Sequence, residues 1–564
     1  MPKIEMNEKT FFDLLGRKVD GEELTDLLQA AKGELDDWDP ETGMIKVELN
    51  DTNRPDLWST AGVARQLRCR LTHEDRDYPF FSRPGEPGAP AERVVRVSPE
   101  LRDIRPYIAA FTAEGRRVDD PLLVDIIQSQ EKLCENFGQK RKAVAMGVYR
   151  AALIRYPVLY RAADPDETRF VPLGFARELS LREILSDHPK GVDYGWIVRD
   201  CPLYPYIEDS RGETLSFPPI INSARIGAVE VGDSSFFIEL TGPDLNVLLL
   251  AASIAACDLA DLGFTIRPVT VEYPYDTPHG RSVSTPFYFQ KEQEVDPAYA
   301  AKLLGEQMSG EEIGSLLKGA GHRAAVRGGR VVVEPPPYRN DFLHPADVVE
   351  EIMIARGMES FEPVMPKEFT VGRLESISLF SREVREIMVG LGFQEMVYNY
   401  IGSRKDFIDR MNVEDEGFIE IMNPMTENYA LVRKSILPCL LASESVSANA
   451  VYPHRIFEIG KVACRDPSEN TGSKTSTDLT LLAADRSAGF NDVSSYVSAL
   501  LYYLGREYSL EEEEDPRFIP GRCTAIRCRG ARAGAMGEIH PQVLENWGIQ
   551  MPCAAAELEL DAVL

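Results

Sequence analysis

Apolar residues recur along this chain in two rhythms, one near 3.6 residues and one of two, which mark helices and strands in turn. Near the start, Thr10 stands before FFDLLG as a helix opening, and a second amphipathic piece runs over 22–32. Ile45, Val47 and Leu49 alternate as a strand entering a polar turn, where Asn50, Asp51, Asn53 and Pro55 are all turn formers. Strand rhythm returns in VVRVS (94–98), FFIEL (236–240) and FTIRPVTVEY (264–273). In the second of these, Phe237, Glu239 and Thr241 point to one side and Phe236, Ile238 and Leu240 to the other. Between them PLLVDIIQSQEKLCENFG (121–138) predicts a helix, with Leu123, Ile126, Ile127 and Leu133 at helical spacing and Gly138 as its stop. A second strong helix is predicted over 379–391, where Phe380, Val384, Ile387, Met388 and Leu391 share a face and Gly392 ends it. A strand with Met396, Tyr398 and Tyr400 on one side is expected next.

Turn-rich stretches cut this pattern: SRPGEPGAPAE (82–92), YPYDTPHGRSVSTPF (273–287) and FEPVMPKEFTVG (361–372). They leave segments 1–85, 90–275, 282–362 and 368–564, and at roughly 150 residues per domain four domains fit the length. The composition, 44% hydrophobic and 27% charged, is that of an ordinary soluble globular protein. With 62 basic and 90 acidic residues the formal charge is −28, which argues against a basic coat for DNA but leaves room for a local basic stripe. No apolar run reaches the ~18–20 residues of a membrane span, and the opening MPKIEMNEKTFFDLLG lacks a secretory pattern. The nine cysteines form no C-x-x-C pair, so the expectation is a cytoplasmic protein with reduced thiols and no paired-cysteine zinc site.

The chain lacks a G-x-x-x-x-G-K-[ST] loop, an H-E-x-x-H helix and a G-x-S-x-G elbow. His188, the sole histidine of 90–275, sits in a polar SDHPKG turn and makes a poor triad member. The densest chemical signal is YRNDFLHPADVVEEI (338–352). Pro345 suits a first helical turn, and Val348, Val349, Ile352 and Met353 continue the helix. Asp347, Glu350 and Glu351 are three and four positions apart on it, with Asp341 in the entering loop. Oxygen ligands without Cys or His select a hard ion, Mg²⁺ before Ca²⁺. The ordinary alternative is a helix start whose acids favour the dipole by ~0.3–1 kcal/mol each.

VELNDTNRPDLWSTAGVAR (47–65), YRNDFLHPADVVEEI (338–352) and GEIHPQVLENWGI (537–549) together resemble the β chain of phenylalanyl-tRNA synthetase, in its archaeal and eukaryotic form. The three agree in order, and the likeness covers essentially the whole chain. It implies an α₂β₂ enzyme that joins phenylalanine to tRNA(Phe) at the expense of ATP, with aminoacylation on α. The β chain is implied to supply structure, tRNA contacts and an editing site that hydrolyses misattached tyrosine. The resemblance also implies an Mg²⁺ site shared with α, carried onto Asp341, Asp347, Glu350 and Glu351. The fold implied is multidomain α+β: an N-terminal α/β domain (1–85), an α/β editing domain (90–275), a small winged-helix or helix-turn-helix-like domain (282–362) and a class II synthetase-like antiparallel sheet with helices (368–564).

That last segment reads as a catalytically silent copy contacting α. ALVRKSIL offers Arg433 but follows it with Lys434 and Ser435, without the glutamate of an Arg-x-Glu motif, and 533–564 contains no Lys or Arg. A triphosphate site needs fixed positive charge. Arg433 as an ordinary ion pair is the plainer reading. In the editing segment, FPPIINSARIGAV (217–229) and FFIELTGPD (236–244) supply the candidates Asn222, Ser223, Glu239, Thr241 and Gly242. A carboxylate beside amide and hydroxyl groups can prefer tyrosine, because phenylalanine leaves buried polar groups unpaired. The alternative for Glu239 is an exposed strand position. No nucleophile accompanies these residues, so hydrolysis rests on a positioned water, helped by the tRNA's terminal hydroxyl. QKRKAVAMGVYRAALIRYPVLYR (139–161) carries Lys140, Arg141, Lys142, Arg150, Arg155 and Arg161 with three tyrosines interleaved, which suits single-stranded RNA, the first four as its contacts, or a plain solvated face with tyrosines half in the core. The rival to a ligase β chain is a free-standing tRNA-binding or deacylating protein with a degenerate synthetase domain.

Overall fold

In the computed structural model, which describes residues 3–49, 53–74, 76–83, 92–447 and 449–564, the chain divides into two units, 1–364 and 365–564. The first opens with a three-stranded sheet of Lys3–Asn7, Met44–Leu49 and Gly33–Asp39, Met44–Leu49 in the centre. Its first helix is Glu8–Leu15, not one starting at Thr10: Asn7 caps it by accepting from the Thr10 amide at 3.1 Å. Asn50 and Asp51 of the predicted turn lie outside the described residues. Beyond it Arg54 is buried and gripped by Asp56 at 2.9 and 2.8 Å, and helix Thr60–Thr72 follows.

A ten-stranded sheet fills the middle of this unit. Helix Leu245–Asp261 is buried without interruption over 248–259, so it is apolar on nearly all sides and sits inside the unit. Strand Ser235–Gly242 turns Phe236, Ile238 and Leu240 toward that helix, while Phe237 joins a second cluster with Tyr149, Tyr160 and Leu215. Strand Ala145–Arg150 stands at one end of the sheet, and Thr214–Phe217 and Ile221–Asn222 at the other. The sheet curls until these ends meet: the Arg150 amide donates to the Ile226 carbonyl at 3.0 Å, and the Tyr149 hydroxyl lies 2.8 Å from Ser216 Oγ.

The predicted helix over 121–138 forms as Asp120–Lys132, continues through a wider π turn over Leu133–Phe137, and gives way at Gly138. Gly138 is needed for closeness, since a Cβ there would lie 2.4 Å from the carbonyl oxygens of both Cys134 and Val144. The unit closes with a small segment in which helices Pro297–Leu304, Gly310–Gly319 and Pro345–Arg356 enclose an apolar cluster with the hairpin Arg323–Arg327 and Arg330–Glu334.

The second unit is a seven-stranded sheet whose pairs are antiparallel except at one edge, where Gln394–Glu395 runs parallel to His454–Arg465. Helices Ser376–Gly390 and Phe490–Tyr503 cover one face, and Leu437–Val446 and Pro541–Trp547 the other. The strand predicted to hold Met396, Tyr398 and Tyr400 stops at Glu395. Met396 and Tyr398 still pack inward, but Tyr400 is 53% exposed beneath the Arg433 guanidinium, 4.6 Å away. Among the described residues no helix is long and apolar enough to cross a membrane.

Candidate functional site

Where the two ends of the ten-stranded sheet meet, they enclose a cavity of about 640 Å³. Ile126, Met146, Phe217, Pro218, Ile221 and Val229 make its apolar wall, and Asn222, Ser216, Arg141 and Glu239 bring polar groups to it. Ile127, predicted for the buried helix face, is 45% exposed and lines this cavity as well. Glu239 is itself 3% exposed. Its Oε1 accepts from the Tyr149 hydroxyl at 2.8 Å, and its Oε2 has no hydrogen-bond partner among the described residues. Burial raises its pKa to about 7, against the opposing pull of the Tyr149 hydrogen bond and the positive charge of Arg105.

Of the five residues expected in an editing pocket, Asn222 and Glu239 line the cavity. Ser223, Thr241 and Gly242 do not, and brace it from behind. The Ser223 hydroxyl donates to the Thr214 carbonyl at 2.7 Å, which spends it on the sheet's end. Thr241 Oγ1 accepts from Arg105 Nε at 3.0 Å, and the same buried guanidinium donates to the carbonyls of Lys142 and Arg141 at 3.0 and 3.1 Å. Gly242 permits close approach, since a Cβ would stand 2.2 Å from the Ala143 carbonyl oxygen. The pattern reading missed Tyr149, Ser216, Gly147 and Arg105. A signal did exist for two of them: in AMGVYR a glycine sits two positions before a tyrosine, on the same strand face.

The basic stretch divides in the same manner. Gln139, Lys140 and Arg141 hold φ of 51°, 54° and 66°, a run of three non-glycine residues in the left-handed region, which costs of order 1 kcal/mol each. The turn is held by the Lys140 and Arg141 amides, each donating at 2.9 Å to the π turn. It points Arg141 at the cavity, where its guanidinium lies 4.2 Å over the Tyr194 ring and donates to the Ile220 carbonyl at 2.9 Å. Lys140 and Lys142 are exposed beside it. Arg150, expected to touch RNA, is instead occupied within the fold by Glu230 at 2.6 Å and Asp233 at 2.9 Å.

The four acids expected to share one Mg²⁺ are not gathered around a common point. Asp341 and Glu351 close on the buried Arg339, with contacts of 2.6 and 2.7 Å. Glu351 also meets His322 at 3.1 Å and stands 4.0 Å from Arg54. Burial alone would raise its pKa, but Arg339 and His322 outweigh that and hold the carboxyl well below the usual range. Asp347 turns back to cap its own helix, accepting from the Leu343 and His344 amides at 2.7 Å, and Glu350 pairs with Lys32 at 2.9 Å. Among the described residues no three His, Cys, Asp or Glu side chains are grouped to hold a metal ion. A four-carboxylate cage therefore does not fit: two of its members are committed to guanidinium groups that a divalent ion would repel.

In the second unit Arg433 is fully buried and clasped by Glu458 at 2.8 and 3.0 Å, the plain ion pair of the two readings. A cavity of about 380 Å³ beside it is lined by Asp478, Glu513, Glu514, Asp515, Glu557 and Glu559 against Lys434, Arg517 and Arg532. Burial, reinforced by Glu557, Glu559 and Asp561, pushes Asp478 up to about 7 despite a hydrogen bond from Ser476. An excess of carboxylates of this kind repels a triphosphate.

Comparison with known proteins bears on both units. Residues 293–358 match the family described as tRNA synthetase B5 domain, and 362–560 the phenylalanyl tRNA synthetase beta chain CLM domain. The phenylalanine–tRNA ligase beta subunit of Borrelia garinii subsp. bavariensis is 45% identical over 567 residues, with 100% of both chains covered. That of Treponema pallidum subsp. pallidum is 44% identical over 603 residues, again with full coverage of both. A solved N-terminal fragment of the phenylalanyl-tRNA synthetase beta subunit from Pyrococcus horikoshii is 38% identical with a TM-score of 0.57, covering 63% of this chain and 99% of its own.

Proposed function

Since the chain belongs to the phenylalanine–tRNA ligase beta-subunit family, we propose that its first unit proofreads for a two-subunit ligase, in which an alpha subunit attaches phenylalanine to tRNA(Phe) using ATP and Mg²⁺. The cavity takes the 3′ end of tRNA(Phe) carrying tyrosine. Water attacks the ester carbonyl, the bond to the ribose oxygen breaks, and tyrosine and free tRNA leave. One observation carries this reading: a buried carboxylate on an apolar cavity wall keeps one oxygen without a partner among the described residues. A tyrosine hydroxyl donates to that oxygen, whereas phenylalanine leaves it desolvated and unpaired. The lining residues include no histidine, so no side chain of the Ser-His kind is on hand to act as nucleophile. Hydrolysis rests on a positioned water and the terminal hydroxyl of the tRNA. Arg141, with Lys140 and Lys142 outside it, offers charge to the RNA backbone at the mouth.

The second unit serves as a class II-like scaffold facing the alpha subunit in an α₂β₂ assembly. It exposes Phe369, Val371, Val397, Met422 and Met425 by 85% or more, apolar surface suited to being covered by a partner. Such an assembly works in the cytoplasm, free of membranes and DNA. The reading is tested by co-expressing the chain with its alpha partner and following hydrolysis of Tyr-tRNA(Phe). Glu239→Ala is expected to slow that hydrolysis by about tenfold or more while Phe-tRNA(Phe) synthesis continues; unchanged hydrolysis sinks the assignment. A free-standing deacylating protein would instead size as a well-behaved monomer without a partner.

A further inference from the structure

We propose that Tyr149, anchored at Ser216 and seated over Gly147, is the positioning residue that makes Glu239 selective for a ligand hydroxyl. The inference rests on the proofreading reading and adds to it the device that aims its carboxylate.

Glu239 stands directly across from Gly147 in the paired strands, and Phe237 across from Tyr149. Residues two apart on a strand share a face, so Tyr149, Gly147, Glu239 and Phe237 are neighbours inside the curled sheet. Gly147 leaves a gap there. A Cβ on it would stand 2.0 Å from the Tyr149 hydroxyl oxygen and 2.7 Å from Glu239 Oε1, so any larger residue would push the phenol off the carboxylate. Through this gap the fully buried Tyr149 reaches both Glu239 Oε1 and Ser216 Oγ, each at 2.8 Å. A phenol has one proton to give. Both oxygens accept from that hydroxyl, which shares its proton between the carboxylate and the serine and so joins one end of the sheet to the other.

The consequence is directional. With Oε1 tied down by a buried donor, the carboxylate cannot rotate freely, and Oε2 is left as the buried, unpartnered oxygen of a residue that lines the cavity. Without Tyr149 both oxygens would be unpaired in an apolar wall, and the carboxyl would find its proton more easily. The other charged or titratable groups around Glu239 are Arg105, Tyr160 and Cys134. Both tyrosines are raised above 10 and Cys134 to about 11, chiefly by burial, so Glu239 is the one of these groups that titrates near neutral pH.

The test uses the co-expressed alpha and beta chains with Tyr-tRNA(Phe) and Phe-tRNA(Phe) as substrates, and compares the unaltered enzyme with Tyr149→Phe, Gly147→Ala and Glu239→Gln. Tyr149→Phe is expected to raise KM for Tyr-tRNA(Phe) hydrolysis about tenfold, the equivalent of one hydrogen bond, with kcat within about twofold. Its tyrosine-over-phenylalanine ratio should titrate at a higher pH than the unaltered enzyme's, a change that general loosening of the fold does not produce. Gly147→Ala should reproduce both effects, and the Tyr149→Phe change should add nothing in a Glu239→Gln background. An unmoved KM and pH midpoint in Tyr149→Phe, or a loss that adds fully to that of Glu239→Gln, overturns the positioning role. If the unaltered enzyme does not hydrolyse Tyr-tRNA(Phe), the proofreading reading fails and takes this inference with it.

Discussion

Glu239 shows how one side chain can be costly to the fold and useful to the site. Its carboxyl titrates near 7 because burial disfavours the charged form. A raised folded-state pKa means that the native protein holds the proton more tightly than the unfolded chain. Stability therefore falls as pH climbs from about 4.5 through about 7, and above that the full cost is present. Glu239→Gln should stabilise the chain at pH 8 by on the order of 2–3 kcal/mol and hardly at all at pH 4, which thermal melts at the two pH values will read. The same titration bears on selectivity: the ionised carboxylate is the stronger acceptor, so the ratio of Tyr-tRNA(Phe) to Phe-tRNA(Phe) hydrolysis should rise through pH 7. A flat ratio between pH 6 and 8 would mean that the carboxylate does not read the hydroxyl. Alternation along FFIEL placed Glu239 on the face where it lies. Its burial was not legible, because that depends on a strand from the far end of the sheet folding over it.

At the level of elements, two Arg-x-Asp turns meet the start of helix Pro345–Arg356. Arg54 takes Asp56, Arg339 takes Asp341, and Glu351 of the helix lies against both guanidinium groups, with His322 on its other side. The spacing of Asp347, Glu350 and Glu351 suggested three acids on one helix face, and the helix itself formed where the pattern put it. What spacing could not show was the counter-charge. Arg339 stands only 12 residues before Glu351, in the loop that enters the helix, but Arg54 comes from the N-terminal segment, and spacing within a helix says nothing of what packs against it. Glu351→Gln removes the carboxylate that both buried guanidinium groups face, leaving each with its own aspartate alone, and should cost about 3 kcal/mol, seen as a lower melting transition. Adding EDTA to the unaltered chain should leave that transition in place; a marked drop would show that a metal ion contributes to this helix after all.

For the whole molecule, the division of labour follows from charge. The second unit buries Arg433 with Glu458 and surrounds its cavity with carboxylates. The isolated chain should thus give no ATP–pyrophosphate exchange above background, and adding the alpha subunit should restore it; exchange by the chain alone would contradict the scaffold role. Sizing offers a second check. Alone, the chain should associate irregularly through its exposed apolar residues, whereas co-expression should yield one larger, discrete species.

The sequence by itself determined the elements and the kinship. Periodicity set the helices and strands because side-chain direction repeats with the backbone, and three long motifs carried the family because each is many residues long. Its limits lay where one segment meets another. Only the tertiary structure decided that Ser223, Thr241 and Gly242 stand behind the cavity, that Arg150 and Arg433 are already paired, and that Asp341 and Glu351 serve arginines. It also decided that a tyrosine hydroxyl passing over a glycine reaches a buried carboxylate among the residues that line the cavity. The physical reason is the same in each case: what a charge or hydroxyl does is set by its nearest partners, and in a curled sheet those partners come from strands remote in the chain.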